Sequence, residues 1–368
     1  MDDKLKILMT ADTIGGVWTY AMTLCESLQN QGIEIHLATL GRPISDHQNK
    51  QLEKLENVIL YESNFKLEWM EDPGDDVQAT AFWIGEIYEK VQPDLLHFNN
   101  YVKISDRWNC PKITVFHSCV ATWFEAVKGE KIPESWQKYM QHLNKALQAS
   151  DCIVFPSNGI KNLAEKVHGQ IENSVVIYNG ANFTYNKIPK KQHYILTAGR
   201  IWDKAKNISL LRKVAASLSW PLKIAGSNAE YVHDRAINIH YLGELPHEKV
   251  CEYMGRAAVF ASSALYEPFG LAVLEAAYSG CALALSDNQV FKEIWGDAAT
   301  YFDPNDEAEA RAAIQLLIDD EALRKKMAEK AKGRASEFTA VKMSANYFSL
   351  YLNMLHEKPQ LITLNTIK

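Results

Sequence analysis

The stretch Y-E-P-F-G-L-A-V-L-E-A-A-Y-S-G, residues 266–280, places two glutamates eight positions apart around a Pro-Phe-Gly turn. The apolar segment A-A-V-F-A-S just before it, residues 257–262, predicts a short buried strand. Apolar residues then recur at helical spacing over 271–279 and stop at a glycine, which predicts a helix that ends there. Glu267 therefore lies on a loop, and Glu275 lies one to two turns into the helix.

The start of this helix is a predicted anion site. The backbone N–H groups of Phe269, Gly270 and Leu271 open the helix, where unpaired donors and the helix dipole favour an anion such as a diphosphate. Carboxylates on either side of that anion, at Glu267 and Glu275, are placed to hold hydroxyl groups. The spacing indicates a sugar-nucleotide site, although an isolated pair of this kind also fits an ordinary turn and an exposed helix face.

The motif resembles the E-x7-E motif of the family 4 retaining glycosyltransferases, which reads E-G-F-G-L-x-x-x-E, with Pro268 here in place of the usual glycine. The resemblance implies the α/β GT-B architecture, in which two Rossmann-like domains with parallel sheets face a central cleft. It also implies that Glu267 lies against the donor sugar and that Glu275 hydrogen-bonds the ribose of the nucleotide. Four further matches, in the family's order, support it.

The N-terminal segment predicts a βαβ unit with a glycine pair in its first loop. Strands are expected at 5–9 and 33–40 and a helix at 17–30, so Gly15 and Gly16 lie where the loop meets the helix. Residues without a Cβ let a ligand approach the backbone closely. A nicotinamide-dependent dehydrogenase is disfavoured, because it needs G-x-G-x-x-G and an acidic residue near the end of the second strand. The resemblance implies that both glycines face the donor phosphate and the acceptor.

A histidine follows the apolar strand in I-T-V-F-H-S-C, residues 113–119. Parallel strands of open α/β sheets bind ligands beyond their carboxyl ends, which places His117 at a ligand-binding edge. A lone histidine at a strand end is also commonly a structural residue. The family's histidine at such a position contacts the donor sugar, and the resemblance implies this role for His117. His97, in D-L-L-H-F-N-N, is the weaker candidate, because it does not align with a functional position of the family.

The segment L-T-A-G-R-I-W-D-K-A-K-N, residues 196–207, predicts a strand that ends in Gly-Arg, a loop, and a lysine just before a helix. It resembles the family's G-R-x-x-x-x-K-[GN] segment, whose arginine and lysine clamp the donor pyrophosphate. Those roles fall on Arg200 and Lys206. The planar fork of arginine suits bidentate phosphate binding, and lysine supplies a mobile point charge. Lys204 is expected to be a solvated loop residue.

Two weaker landmarks complete the match. V-V-I-Y-N-G-A-N, residues 175–182, resembles the segment that closes the family's N-terminal domain, and Y-L-G-E-L, residues 241–245, resembles a strand whose following loop packs against the nucleobase. An ordinary turn explains the second segment equally well. The expected catalytic residues are His117, Arg200, Lys206 and Glu267. The expected donor-binding residues are Gly15, Gly16, Gly243, Glu244, Leu245, Phe269, Gly270, Leu271 and Glu275.

The chain has 368 residues, more than one hydrophobic core usually spans, and strand and helix patterns alternate in both halves. We expect an N-terminal Rossmann-like domain on the acceptor side at 1–182 and a C-terminal one on the donor side at 193–340. The polar, aperiodic segment 182–192 marks the boundary. A helix at 341–357 is expected to cross back to the N-terminal domain, followed by a tail at 358–368.

Composition argues against several classes of protein. The net charge is −6 and no basic stripe runs along the chain, so nucleic acid is not an expected partner. The basic run 324–334 fits a solvated helix face better than a lipid-phosphate patch. Six cysteines without C-x-x-C or zinc-ligand spacing predict a reduced protein without disulfides or a metal site. Lacking a signal-like start or a long apolar run, the chain is expected in the cytoplasm, with peripheral contact at the inner membrane face left open.

The D-x-D triplet that other glycosyltransferases use to hold a divalent metal does not occur in this sequence. Metal-independent transfer without a cofactor is therefore expected. The resemblance implies that a sugar moves from a UDP-, GDP- or ADP-sugar, with UDP favoured, to an acceptor hydroxyl, and that the anomeric configuration is retained by front-side attack. No general base is assigned.

The acceptor and two rival functions stay open. Aromatic residues such as Trp123 and Phe124 fit either a platform for an acceptor or core packing. The acceptor is a glycan, a lipid-linked glycan or a small molecule. The segment 288–294, N-Q-V-F-K-E-I, stands where the family has a glycine-rich loop at the donor-sugar end. A sugar-nucleotide 2-epimerase of the same architecture and a catalytically silent partner subunit are the alternatives.

Overall fold

The computed structural model describes residues 4–70, 73–182, 189–226 and 237–356. The expected tail at 358–368 lies outside the described residues, as does most of the expected boundary segment. The chain forms two compact units. The first comprises Met1–Glu125, Glu130–Gly180 and Ala340–Lys368, and the second comprises Ala126–Gly129 and Ala181–Thr339.

The first unit is built on a seven-stranded sheet in which all neighbouring strands are parallel. The strand order is β3-β2-β1-β4-β5-β6-β7, so the chain winds outward from β1 in one direction and then from β4 in the other. The strands are β1 (Leu5–Asp12), β2 (Ile33–Leu40), β3 (Val58–Glu62), β4 (Leu95–Phe98), β5 (Lys112–Val115), β6 (Cys152–Phe155) and β7 (Ser174–Val176).

In its described part, the second unit repeats this winding with six parallel strands in the order β10-β9-β8-β11-β12-β13. Its strands are β8 (Gln192–Ala198), β9 (Leu222–Ala225), β10 (Ile239–Gly243), β11 (Ala257–Ser262), β12 (Ala282–Ser286) and β13 (Thr300–Phe302). The predicted alternation of parallel strands and helices is confirmed in both halves.

Helices lie between most successive strands of each sheet, where parallel pairing requires a crossover, and three of the described helices follow β13. In chain order they are α1 (Gly16–Leu28), α2 (Asp46–Leu52), α3 (Asp76–Val91), α4 (Val120–Lys128), α5 (Gln137–Ala149), α6 (Asn158–His168), α7 (Ile208–Ala215), α8 (His247–Arg256), α9 (Leu271–Tyr278), α10 (Gln289–Trp295), α11 (Glu307–Asp319), α12 (Glu321–Ala335) and α13 (Ala340–His356).

The two faces of the first sheet are covered by different helices, because successive side chains of a strand point to opposite faces. Ile7 and Met9 of β1 share a core with α1 and α13, whereas Leu8 packs in the core that contains α3. Tyr347 and Tyr351 of α13 are fully buried in the first of these cores. The last helix of the described residues, α13, is thus an integral part of the first unit.

Each sheet has a point where the winding reverses, and ligands of open α/β sheets bind beyond the strand carboxyl ends at such points. In the first unit this point lies between β1 and β4, and in the second it lies between β8 and β11. The loops after β8 and β11 carry Arg200, Lys206 and Glu267. The topology therefore brings together side chains that are far apart in the sequence.

Candidate functional site

The loop after β8 holds Arg200 against a buried aspartate. Asp203 Oδ2 lies 2.8 Å from Arg200 Nη2, and Asp203 Oδ1 accepts a 2.9 Å hydrogen bond from the backbone N–H of Ala205. The aspartate is 7 % exposed, whereas the arginine side chain is 44 % exposed. One edge of the guanidinium is thus fixed by Asp203, and the group reaches solvent where an anion could be bound.

Lys206 and Glu267 form an ion pair across the winding reversal, with Lys206 Nζ 2.5 Å from Glu267 Oε2. Their side chains are 21 % and 16 % exposed, so water screens the pair only in part. The residue expected to hold a phosphate therefore contacts the residue expected to lie against the sugar. A lysine has three N–H donors, so Lys206 can keep this contact while binding an anionic oxygen.

A glycine that the sequence reasoning missed lets two site loops pass closely. A Cβ built on Gly226, directly after β9, would lie 2.0 Å from the carbonyl oxygen of Gly199, directly after β8. Gly226 also has φ +152°, in the range that favours glycine, and its N–H donates to the carbonyl of Gly243 at 2.8 Å. Gly226 thus ties together the ends of β8, β9 and β10.

The turn before α9 requires a glycine for two reasons. Gly270 has φ +95°, and a Cβ there would lie 3.0 Å from the ring of Phe291. Among the described residues, no side chain caps α9, so the backbone N–H groups of its first turn are available to an anion. Phe269 is 2 % exposed and packs edge-on against Phe338, so its side chain belongs to the core.

The segment 288–294, which departs from the family's glycine-rich loop, forms a capped helix. Asn288 Oδ1 accepts a 2.8 Å hydrogen bond from the N–H of Phe291, which is the N-cap interaction of α10. Phe291 is fully buried and packs against Gly270. In this chain the segment therefore packs against the turn before α9 through Phe291.

Glu275 is buried at 8 % exposure and is paired with a histidine from the preceding helix. Its Oε1 lies 2.8 Å from Nε2 of His247, the first residue of α8. Contacts with Cys251 and Glu275 raise the pKa of His247 above its usual range. The expected nucleobase loop, Gly243 to Leu245, ends two residues before His247. His247 therefore lies next to the expected base loop in the sequence and contacts Glu275, the residue expected to bind the ribose.

The expected base loop is a turn that begins at the last residue of β10 and continues beyond the strand. The strand β10 ends at Gly243, which has φ +71°, instead of extending over 241–245 as in the family pattern. Glu244 is exposed and Leu245 is half-buried. The backbone of this turn is thus open to a ligand at the carboxyl end of the sheet.

In the first unit, the glycine pair lies at the start of α1, as predicted. Gly15 precedes the helix with φ +78°, a conformation that favours glycine. Gly16 begins the helix, and a Cβ there would meet no heavy atom within 4 Å. The first glycine is required by the backbone, and the second leaves open space beside the helix N-terminus.

His117 is held by an asparagine from the adjacent strand end. Asn99 Nδ2 donates to the carbonyl oxygen of Thr10 at 2.8 Å, which leaves Asn99 Oδ1 as the acceptor for His117 Nε2 at 2.8 Å. A carbonyl can only accept, so the His117 proton is inferred to lie on Nε2 and a lone pair on Nδ1. Burial, reinforced by nearby His97, lowers the pKa of His117 to about 3. The imidazole is therefore a neutral hydrogen-bond acceptor.

His97 has a structural environment. It is fully buried, and its Nδ1 lies 2.7 Å from the hydroxyl of Tyr351 in α13. Its Nε2 lies 3.4 Å from the hydroxyl of Tyr20, whose ring packs edge-on against His117. His97 thus joins β4 to α1 and α13.

Trp123 and Phe124, the aromatic residues with two possible roles, differ in exposure. Phe124 is buried at 9 % exposure, and Trp123 is half-buried with its ring 5.3 Å from that of Phe124 in an edge contact. Phe124 therefore belongs to the core, and Trp123 covers it.

Two family models match the chain and together span residues 14–334. The model described as Glycosyl transferases group 1 matches residues 181–334, and the model described as Glycosyltransferase Family 4 matches residues 14–185. Among curated proteins, the chain is 27 % identical over 185 residues to a Campylobacter jejuni enzyme, N-acetylgalactosamine-N,N'-diacetylbacillosaminyl-diphospho-undecaprenol 4-alpha-N-acetylgalactosaminyltransferase. The match covers 47 % of this chain and 50 % of that protein, so the chain spans about half the length of this curated relative.

Solved structures share the fold at low sequence identity. Sucrose-phosphate synthase from Thermosynechococcus elongatus has a TM-score of 0.79 at 16 % identity, covering 95 % of this chain and 99 % of its own. The Anabaena protein HepE, in a structure described as a complex with UDP and glucose, has a TM-score of 0.71 at 15 % identity, covering 95 % of this chain and 100 % of its own. Within the part of the chain that the structure describes, no helix is long and apolar enough to cross a membrane. The predicted GT-B fold is confirmed, and the chain belongs to the family 4 glycosyltransferases.

Proposed function

We propose that this chain transfers a sugar from a nucleoside diphosphate sugar to an acceptor hydroxyl, with retention of the anomeric configuration and without a metal ion. The observation that carries the proposal is the convergence of Arg200, Lys206 and Glu267 with the uncapped start of α9 at one edge of the second sheet. Two cations and a helix N-terminus suit a diphosphate, and a carboxylate beside them suits a sugar hydroxyl.

This arrangement is best suited to stabilising the leaving group. As the bond between the sugar and the phosphate breaks, negative charge grows on the departing diphosphate. Arg200, Lys206 and the backbone N–H groups at the start of α9 would stabilise that charge in fixed positions, which is commonly the largest contribution to catalysis. Lys206 is the central group, because its contact with Glu267 links the phosphate to the sugar.

The nucleoside is proposed to lie between Glu275 and the turn after β10. Glu275 accepts hydrogen bonds from the ribose hydroxyls, and the backbone around Gly243, Glu244 and Leu245 contacts the base. UDP is the first nucleotide to test, because a structural neighbour is described as a complex with UDP and glucose. The ribose must share Glu275 with His247 or displace it, since the histidine contacts Oε1.

For the first unit we propose that His117 accepts a hydrogen bond from a substrate hydroxyl through Nδ1, beside the glycine loop. Its neutral state suits an acceptor better than a proton donor. A lipid-linked acceptor is the first class to test, because the name of the Campylobacter jejuni relative specifies a diphospho-undecaprenol carrier. Soluble glycans and small molecules are the alternatives.

The proposal is tested first by thermal stabilisation with UDP, GDP, ADP and dTDP, on the natural chain and on Glu275→Ala. A ligand at a hundred times its Kd stabilises the folded state by about 2.7 kcal/mol. We expect one nucleotide to raise the Tm of the natural chain and to lose most of this effect in the variant. If none of the four nucleotides shifts the Tm, a silent subunit becomes the better interpretation.

Turnover then separates the transferase from the epimerase. The protein is incubated with the selected nucleotide sugar, alone and with candidate acceptors, with and without EDTA, and the products are followed by NMR. We expect an acceptor-dependent glycoside with the donor's anomeric configuration, formed equally well in EDTA. Isomerisation of the donor alone would favour the epimerase, and activity lost in EDTA would contradict the metal-independent mechanism.

A further inference from the structure

Three side chains with metal-binding atoms meet on one side of the second unit. His247 and Cys251 are four residues apart on α8, so they share a helix face, and Glu275 reaches them from α9. His247 Nε2 lies 2.8 Å from Glu275 Oε1 and 3.7 Å from Cys251 Sγ. One ligand atom from each of the three residues lies within 4.8 Å of the others.

These separations are close to those of a bound tetrahedral ion. Zinc is held at roughly 2.3 Å from sulfur and roughly 2.0–2.2 Å from nitrogen or oxygen, so neighbouring ligands lie about 3.3–3.6 Å apart. To centre an ion, side-chain rotation has to lengthen the 2.8 Å separation between His247 and Glu275 and to keep the other two, both within 4.8 Å, close to their present values. The buried carboxylate of Glu275 already contacts His247, and the His247 side chain is 47 % exposed, so solvent can reach the cluster.

The choice of ligands selects the type of ion. A thiolate, an imidazole and a carboxylate together suit Zn²⁺ or Co²⁺, whereas Mg²⁺ and Ca²⁺ prefer oxygen ligands alone. With one thiolate and one carboxylate, a divalent ion in the cluster is neutralised. Coordination requires the deprotonated thiol and the neutral imidazole, so protons are released to solvent as the bonds from the metal to sulfur and nitrogen form.

We propose that His247, Cys251 and Glu275 form a binding site for a thiophilic divalent cation, with Zn²⁺ as the expected ion, and that this ion and the nucleotide ribose exclude each other at Glu275. The metal site stands on the geometry of the three side chains. The exclusion rests in addition on the proposed function, in which Glu275 holds the ribose. The ion is therefore an inhibitor and takes no part in transfer.

Binding is tested directly with Co²⁺, on metal-free, reduced protein, by the absorption of the cobalt–thiolate bond. The natural chain should show this band and should lose it when Zn²⁺ is added in excess. Cys251→Ser and His247→Ala should weaken cobalt binding by more than the roughly 10- to 100-fold that the loss of an outer-shell partner costs. Absence of the band in the natural chain would overturn the site.

The matched controls are two other cysteines, Cys110 and Cys119. Cys110 is half-buried like Cys251, so Cys110→Ser should leave the cobalt band unchanged. Cys119 Sγ lies 3.3 Å from His168 Nε2 and is the rival thiol and imidazole pair. If the band survives in Cys251→Ser and disappears in Cys119→Ser, the ion binds elsewhere and the proposal is wrong.

Competition with UDP tests the exclusion separately. Zn²⁺ should raise the apparent Kd of UDP, and UDP should raise that of Zn²⁺ by the same factor, because coupling between two sites is reciprocal. The effect should disappear in Cys251→Ser and persist in Cys110→Ser. Unchanged UDP affinity at saturating Zn²⁺ would overturn the exclusion. If UDP does not bind even without metal, the proposed function fails and the cobalt band alone decides the metal site.

Discussion

Lys206 and Glu267 are in direct contact, with Nζ 2.5 Å from Oε2, although 61 positions separate them in the sequence. The pair joins the loop after β8 to the loop after β11, at the point where the winding of the second sheet reverses. A cation for the diphosphate and an anion for the sugar hydroxyls are therefore positioned by one another before any ligand binds.

This contact predicts that the two residues do not act independently. Lys206→Ala and Glu267→Gln should each reduce kcat by a hundredfold or more, on the order expected for the loss of a preorganised charge in an active site. The double variant should lose less than the product of the two single losses, because each substitution also leaves its partner without a counter-charge. A double-mutant cycle on kcat measures this, and simple additivity would contradict the coupling.

Arg200→Ala should also cost on the order of a hundredfold in turnover, because the departing diphosphate loses a positioned cation. The control is Lys204→Ala, since Lys204 is exposed in the same loop and is expected to be a solvated charge. Initial rates with saturating donor compare the two variants. Equal rates in both would remove Arg200 from the proposed clamp.

Gly226→Ala should destabilise the fold by a few kcal/mol, because its Cβ would lie 2.0 Å from the carbonyl oxygen of Gly199 and neither backbone can move without disturbing β8 or β9. The matched control is Gly85→Ala in the interior of α3, where an added Cβ meets nothing within 4 Å. That variant should gain about 0.5–1 kcal/mol from helix propensity. Urea unfolding of both variants measures these changes in the free energy of unfolding. A Gly226→Ala variant as stable as the natural chain would disprove the close approach.

The inferred tautomer of His117 predicts a pKa change in Asn99→Asp. A carboxylate at this position favours the charged imidazole, so the pKa of His117 should rise from about 3 towards its ordinary value. NMR titration of the histidine ring measures the shift, with His117→Gln identifying the resonance. A pKa that stays near 3 would contradict the assigned contact.

Stability should fall in acid through the buried histidines. Burial lowers the pKa of His97 to about 3, so the unfolded chain binds a proton below pH about 6.5 that the folded chain refuses until about pH 3. The stabilising effect is therefore complete above pH 6.5 and declines as the pH falls, by up to about 1.4 kcal/mol per pH unit for one such group. Between pH 5 and 7, the urea midpoint should change less with pH in His97→Gln than in the natural chain. Parallel profiles in the two proteins would rule this histidine out as the source.

Much of the candidate site was predictable, because strand and helix periodicity locate the loops that follow parallel strands. The helix after Gly270 was predicted to begin at Leu271, where it begins, and the loop glycines Gly15 and Gly16 lie where the first helix starts. Conversely, the roles of Asn99, Asp203, Gly226 and His247 were not predicted. Asn99, Gly226 and His247 act through partners that are distant in the sequence, whereas Asp203 holds an arginine three positions before it in the same loop.

The cluster of His247, Cys251 and Glu275 was also not recognisable from the sequence. His247 and Cys251 form a visible i, i+4 pair, but two ligands fit many helices, and the third comes from Glu275 on α9. Accordingly, no metal site was predicted from the sequence. By itself, the sequence determined the alternation of strands and helices, the glycines at strand ends and the motif that marks the family, because all three depend on local spacing. The contacts of Lys206 with Glu267, His117 with Asn99 and Glu275 with His247 were decided only by the tertiary structure, because strand order and helix packing determine which loops become neighbours.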